Sequence, residues 1–295
     1  MTDYLIGVDG GGTGTRVRLA RCGGADLTEI AQATGGPSAL SRGIENAWTT
    51  IDGVVAQAFA AIGIDTIPMA SCAIGLGLAG VHNKEWAAAF VAANPGYAAL
   101  ALDTDGFTTL MGAHGGQPGA IVAIGTGSVG EAMLADGSKV EVGGWGFPAG
   151  DEASGAWMGL RALNHIEQVL DGRVEGGAFA RDLIDFCGGS RDAVQVWLGR
   201  ANQTAYAGLA RFVVAHGDTD PVARAILEHA GREVASIADA LDRSATLPLA
   251  LCGGLGEALR PWLPAATLAR CVPAQGDSAA GALRMIRQRL QGTTQ

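Results

Sequence analysis

Two stretches with matching chemistry lie far apart in the chain. Gly10-Gly11-Gly12-Thr13 follows the apolar run Tyr4 to Val8, and Gly125-Thr126-Gly127-Ser128 follows the run that starts at Gly119. Glycine accepts positive φ and carries no Cβ, so such a tip can turn several backbone N–H groups into one concavity, and the hydroxyls add donors. Facing each other, two tips of this kind would hold a polyphosphate from opposite sides. A P-loop is excluded because neither stretch has the lysine of GxxxxGK[ST]. Gly125 to Gly130 matches GxGxxG, but Asp136-Gly137 follows within a few residues, which suits a hairpin better than the helix of a dinucleotide site. Purely structural glycine turns are the alternative.

Carboxylates accompany the tips. Asp9 ends the first apolar run, where it either holds phosphate-bound Mg²⁺, directly or through water, or caps the strand. Asp103 and Asp105 end the run Ala98 to Leu102, and open α/β sheets place ligands at the carboxyl ends of strands. Asp105, between Thr104 and Gly106, is the candidate general base for phosphoryl transfer to a hydroxyl; the alternative is a plain turn. In GGWGFPAGDEASG (Gly143 to Gly155), Asp151 fits a helix N-cap with Ser154 three residues on, and the Gly-Trp-Gly loop could offer backbone groups and an aromatic face to a polar ring. CGGLGEAL (Cys252 to Leu259) reads as strand, glycine turn and helix. The five histidines show no ligand spacing.

The elements that must position these residues are legible as periodicities. Arg16, Val17, Arg18 and Leu19 alternate within a strand over Thr13 to Ala20. Ile44 to Ile62 has helical spacing and ends at Gly63; Ser71 to Leu78 and Ala98 to Leu102 are buried strands, with a helix between them. Beyond Asp151 helices dominate: Ala153 to Leu170, Gly177 to Phe186, Ala193 to Leu198, Thr204 to His216 and Pro221 to Leu241. A strand over Pro248 to Leu251 and a last helix from about Asp277 to Gln291 complete the chain. The pairing of LIGVDGGGTGTRVRLA with IVAIGTGSVGEAMLADG indicates a duplicated β-hairpin. The fold class is α/β, and 295 residues suit two domains that divide near Gly115 to Pro118. The net charge of −9 and pI near 5.0, with no basic run, speak against nucleic acid and anionic membranes. Five scattered cysteines without CxxC fit a reducing compartment. No signal peptide and no spanning stretch is read, so a cytoplasmic protein is expected.

DGGGT, LGLAG, TDG, GTGS, GGWGFPAGDEASG and the late CGG…GDSAAGAL follow one another in an order that resembles the BadF/BadG/BcrA/BcrD ATPase family of the actin-like ATPase superfamily. The resemblance covers essentially the whole chain and points to the branch that holds N-acetylglucosamine and glucosamine kinases. It implies two ribonuclease-H-like (actin-like ATPase) domains with a cleft between them, 1–116 joined by the C-terminal helix 277–291, and 117–276. It implies ATP and Mg²⁺, with Asp9 at the metal, Gly10, Gly11, Gly12 and Thr13 as the first phosphate loop and Gly125, Thr126, Gly127 and Ser128 as the second. It further implies Gly254 and Ala258 near the adenosine, Asp105 as the base facing the 6-hydroxyl, and Gly144, Trp145, Gly146 and Asp151 against an amino sugar. A homodimer fits the family. Ala39 departs from the pattern, since the kinases often carry an asparagine there that binds sugar.

Two other classes compete with this one. A redox-activator ATPase of the same family needs thiolates for a shared iron–sulfur cluster, and no cysteine lies between Cys72 and Cys187. A non-catalytic sugar or nucleotide sensor has only Ala39 in its favour, against an intact Asp105 and both loops.

Overall fold

The computed structural model describes residues 2–22 and 28–292. The chain forms two compact units, residues 1–117 with 274–295 and residues 118–273.

In the first unit, β1 (Tyr4–Gly10), β2 (Thr15–Arg21), β3 (Thr28–Gly35), β4 (Cys72–Leu78) and β5 (Ala99–Asp103) form one sheet in the order β3-β2-β1-β4-β5. β1, β2 and β3 run antiparallel, and β4 and β5 join parallel to β1. α1 (Ile44–Ala60) and α2 (Lys84–Ala92) cover one face. There Trp48 stacks on Phe90 at 4.2 Å within a core of Ile6, Val8, Leu19, Ile51 and Phe59. α3 (Asp105–Ala113) and the last helix pack together on the other face. That last helix can lie on the sheet only because Gly7 and Gly75 are register partners across β1 and β4. A Cβ on either would come within 2.1 Å of a carbonyl oxygen of that helix, Ala279 or Ala282.

The second unit holds β6 (Gly119–Ile124), β7 (Ser128–Met133), β8 (Lys139–Gly143) and β9 (Leu249–Cys252), ordered β8-β7-β6-β9. Its helices are α4 (Gly155–Leu170), α5 (Ala178–Phe186), α6 (Arg191–Leu198), α7 (Gln203–Ala207), α8 (Ala210–His216), α9 (Pro221–Leu241), α10 (Gly256–Leu259) and α11 (Ala265–Arg270); the C-terminal helix α12 (Ser278–Gly292) belongs to the first unit. The core is built on Val122, Ile124, Trp157, Phe179, Leu227 and Val234. Among the described residues no helix is long and apolar enough to cross a membrane.

The duplication extends beyond the two hairpins. In both sheets an antiparallel three-strand meander is followed, on the far side of its first strand, by a parallel strand: β4 beside β1, β9 beside β6.

Several elements differ from expectation. The sequence does not signal β3, because half its side chains, Thr28, Glu29, Gln32 and Thr34, are polar and as an edge strand it buries little. Thr204 to His216 is two helices, since Gly208 and Leu209 interrupt it between α7 and α8. The expected turn at Asp105 is the first turn of α3, capped by Thr104, whose Oγ1 accepts from the Phe107 amide at 2.9 Å. Asp151 is not the N-cap of α4. Ser154 takes that place and accepts from the Trp157 amide at 3.1 Å.

Candidate active site

Each unit presents its own cluster. In the first, the β1–β2 tip closes with the Gly11 amide donating to the Gly14 carbonyl at 2.9 Å. The Gly11 carbonyl accepts from the Ser38 and Ala39 amides at 3.1 and 3.2 Å, and Thr15 Oγ1 donates to the Gly36 carbonyl at 2.6 Å. The tip is therefore tied to the 36–39 loop, and buried Ala39 lies in that tie. Gly12 faces open space, while the Gly11 amide is already committed to Gly14. A cavity of about 420 Å³ beside the tip is lined by Asp9, Gly11, Thr13, Thr15, Arg16 and Thr34.

Asp9 is paired in register with Arg16 on β2 and Gly77 on β4. Burial raises its pKa above the usual carboxylate value; a hydrogen bond with Ser278 works against this, and the nearby Asp105 carboxylate adds to it. Asp105 is thus within electrostatic range of Asp9. Asp105 is raised too, first by burial. The Gly106 amide, donating to Oδ1 at 3.1 Å, and the charge of His82 hold the rise in check. A carboxylate raised by desolvation is a stronger base than one in water, and such groups are typical of sites that move protons.

In the sequence Arg16 is marked only by the strand alternation, and that alternation puts it on the cavity beside Asp9. Its side chain is 46% exposed, and Nη1 lies 3.0 Å from Asp277 Oδ2. Asp277 has a stronger partner in Arg18, whose Nε and Nη2 reach it at 2.9 and 3.0 Å. Asp277 keeps a bidentate partner even when Arg16 turns to another anion.

In the second unit the β6–β7 tip is locked to the start of α4. The Gly125 amide donates to the Gly127 carbonyl at 2.9 Å, the Gly155 amide to the Gly125 carbonyl at 2.8 Å, and Ser128 Oγ to the Glu152 carbonyl at 2.6 Å. The CGGLG turn closes on the same place. The Leu255 amide donates to the Ile124 carbonyl at 3.0 Å, and Gly253, at φ 80°, lies so close to Ile124 that a Cβ would fall 2.3 Å from its carbonyl oxygen. Gly254 is exposed and Ala258, in α10, is half-buried. Gly125 to Ser128, the first turn of α4 and the CGGLG turn thus converge.

The loop from Gly143 to Ser154 completes this cluster. Gly143, Gly144 and Gly146 take φ of 80°, 71° and 85°, which side chains disfavour, and Trp145 stands 85% exposed between them. Asp151 and Ala153 are also at positive φ, 61° and 65°. Asp151 is 5% exposed, its carboxylate lying so close to Gly127 that a Cβ there would sit 2.7 Å from Oδ2. Oδ2 accepts from Gln203 Nε2 at 2.6 Å, a partner in α7 that nothing in the local sequence around Asp151 signals.

Other cavities of about 210 and 620 Å³ lie among α4, α5, α6 and α7 and include none of these residues. Among the described residues no group of three or more His, Cys, Asp or Glu could hold a metal ion.

The model of the BadF/BadG/BcrA/BcrD ATPase family matches residues 6–260. A glucosamine kinase of Vibrio cholerae is 30% identical over 95% of each chain. An N-acetylmuramic acid/N-acetylglucosamine kinase of Clostridium acetobutylicum is 27% identical over 78% of this chain and 76% of its own. A crystal structure from Chromobacterium violaceum, provisionally assigned as an N-acetylglucosamine kinase, is 53% identical, covers 97% of this chain and 99% of its own, and superposes with a TM-score of 0.91.

Proposed function

Because the chain belongs to the BadF/BadG/BcrA/BcrD ATPase family, we propose that it is an ATP-dependent hexosamine kinase that phosphorylates the 6-hydroxyl of N-acetylglucosamine or glucosamine. The observation that carries this reading is Asp105, half-buried just past the carboxyl end of β5, with its pKa raised by desolvation and within electrostatic range of Asp9.

Asp105 accepts the proton of the sugar hydroxyl as that oxygen bonds to the γ-phosphorus. The bond from the γ-phosphorus to its bridging oxygen breaks, and ADP leaves with the electron pair. The β1–β2 tip, through the Gly12 amide and the Thr13 hydroxyl, binds phosphate oxygens, and Arg16 supplies positive charge on the same cavity. Gly125 to Ser128 form the second phosphate loop. Gly254, on the turn that closes against that loop, and Ala258, in α10, border the adenosine. Gly144, Trp145, Gly146 and Asp151 take the sugar, Asp151 through its carboxylate and Trp145 through an exposed ring.

Asp9 suits Mg²⁺. It is a single carboxylate without a cage of further protein ligands, and Mg²⁺ keeps several waters and binds through one or two carboxylates plus substrate phosphates. When bound, the ion compensates phosphate charge.

Competition between the two amino sugars tests the substrate reading. With ATP and Mg²⁺ present, one of them should give its 6-phosphate with a kcat/KM well above that of glucose. Equal rates with glucose, or a product phosphorylated elsewhere, would overturn it.

A further inference from the structure

Asp151 is held in an unusual way. It is a non-glycine residue at φ 61°, a conformation costing on the order of 1 kcal/mol that persists only where its surroundings over-determine it. From below, the β6–β7 tip presses on the carboxylate at Gly127. From the side, Gln203 Nε2 donates to Oδ2 at 2.6 Å. Gln203 is itself fixed. Asn202 caps α7 by accepting from the Ala205 amide at 3.0 Å. One turn on, Tyr206 packs its ring on Phe147 of the Asp151 loop at 5.0 Å and on Trp197 at 5.7 Å. Gly159 of α4 lets α7 approach so closely that a Cβ would fall 1.9 Å from the Tyr206 carbonyl oxygen. α7 therefore clasps the 143–154 loop at two points, Asp151 and Phe147, while resting on α4.

We propose that Gln203 is a positioning residue for the sugar site: it orients the Asp151 carboxylate toward the sugar hydroxyls. This rests on the reading of Asp151 as a sugar ligand. The chemistry of the amide is what the task requires. A neutral donor fixes one carboxylate oxygen and sets the plane of the group without bringing a charge of its own, so Oδ1 is left to accept from the ligand. A lysine or arginine at the same place would neutralise Asp151 and compete with the ligand. Gln203 lies more than fifty residues from Asp151 in sequence, so the assignment comes from the fold of the second unit alone.

The test compares Gln203→Met, Gln203→Glu and Gln203→Ala. Methionine keeps length and packing but cannot donate; glutamate keeps length and replaces the donor with a second carboxylate. The expected result is a rise in sugar KM of about tenfold for Gln203→Met, larger for Gln203→Glu, with KM for ATP within about twofold of wild type. Direct calorimetric titration of the sugar should show the same loss. Sugar KM unchanged in Gln203→Met, with only the alanine variant impaired and its melting temperature lowered, would overturn the proposal and leave Gln203 a packing residue. Failure of the underlying reading looks different: wild-type protein would then phosphorylate no amino sugar, or Asp151→Asn would leave sugar KM unaltered.

Discussion

Asp105→Asn separates function from stability in opposite directions. Asparagine keeps the shape and the oxygen that accepts the Gly106 amide, but it cannot take a proton. Loss of a general base costs about 10²- to 10⁴-fold in rate, or about 3–5 kcal/mol of barrier at 1.36 kcal/mol per tenfold. Stability should move the other way. Burial raises the Asp105 pKa in the folded state, so between the unfolded and folded values the native protein binds more protons than the unfolded chain. Stability then falls as pH rises through that window and stays reduced above it. Asp105→Asn removes that loss. Its melting temperature should exceed wild type at neutral pH, and the gain should vanish once the pH drops below the unfolded aspartate value of about 3.9. ADP release with saturating sugar and ATP measures the first effect, and thermal melts across a pH series the second. Near-normal turnover, or a melting temperature lowered at neutral pH with no recovery on acidification, would refute the reasoning.

Arg16→Ala should raise KM for ATP several-fold with sugar KM unchanged, and Arg16→Lys should restore part of it; equal KM values for ATP in all three proteins would remove Arg16 from the phosphate site. Gly75→Ala places a methyl group against the Ala282 carbonyl, and should destabilise the first unit by about 2 kcal/mol or more in denaturant unfolding; a wild-type midpoint would show that α12 shifts freely. Asp242 caps the end of α9. Burial works to raise its pKa, but amides of Leu247 and Thr246 at 2.7 Å and of Ser244 at 3.0 Å, with the Ser244 hydroxyl, outweigh it and hold the carboxyl down at about 2. A lowered folded value gives stability that is full above pH 4 and lost as pH falls toward 2, so Asp242→Ala should lose stability at neutral pH and flatten the acid side of the curve. An unchanged acid limb would contradict this.

The sequence revealed most about the residues whose chemistry is local. The two glycine–threonine tips, Asp9 and Asp105 announce themselves because a tip needs glycine and a strand end needs little else. α1, α4, α9 and α12 are legible from their spacing. β3 is not, because an edge strand with polar side chains lacks the buried alternation that marks its neighbours. The sequence favours Asp151 as the N-cap of α4, yet Ser154 takes that place. The choice between them depends on a loop with five residues at positive φ, two of them non-glycine, which no propensity favours. Gln203 and Arg16 show the same limit. Their roles are set by what the fold brings beside them, Asp151 in one case and a saturated Asp277 in the other.

The most direct test is ADP release with Mg²⁺ and ATP in the presence of N-acetylglucosamine, glucosamine, glucose or no sugar. Release strongly stimulated by an amino sugar and matched mole for mole by its 6-phosphate is the predicted result. ADP release indifferent to every sugar would contradict the account and leave Asp105 without a hydroxyl to deprotonate.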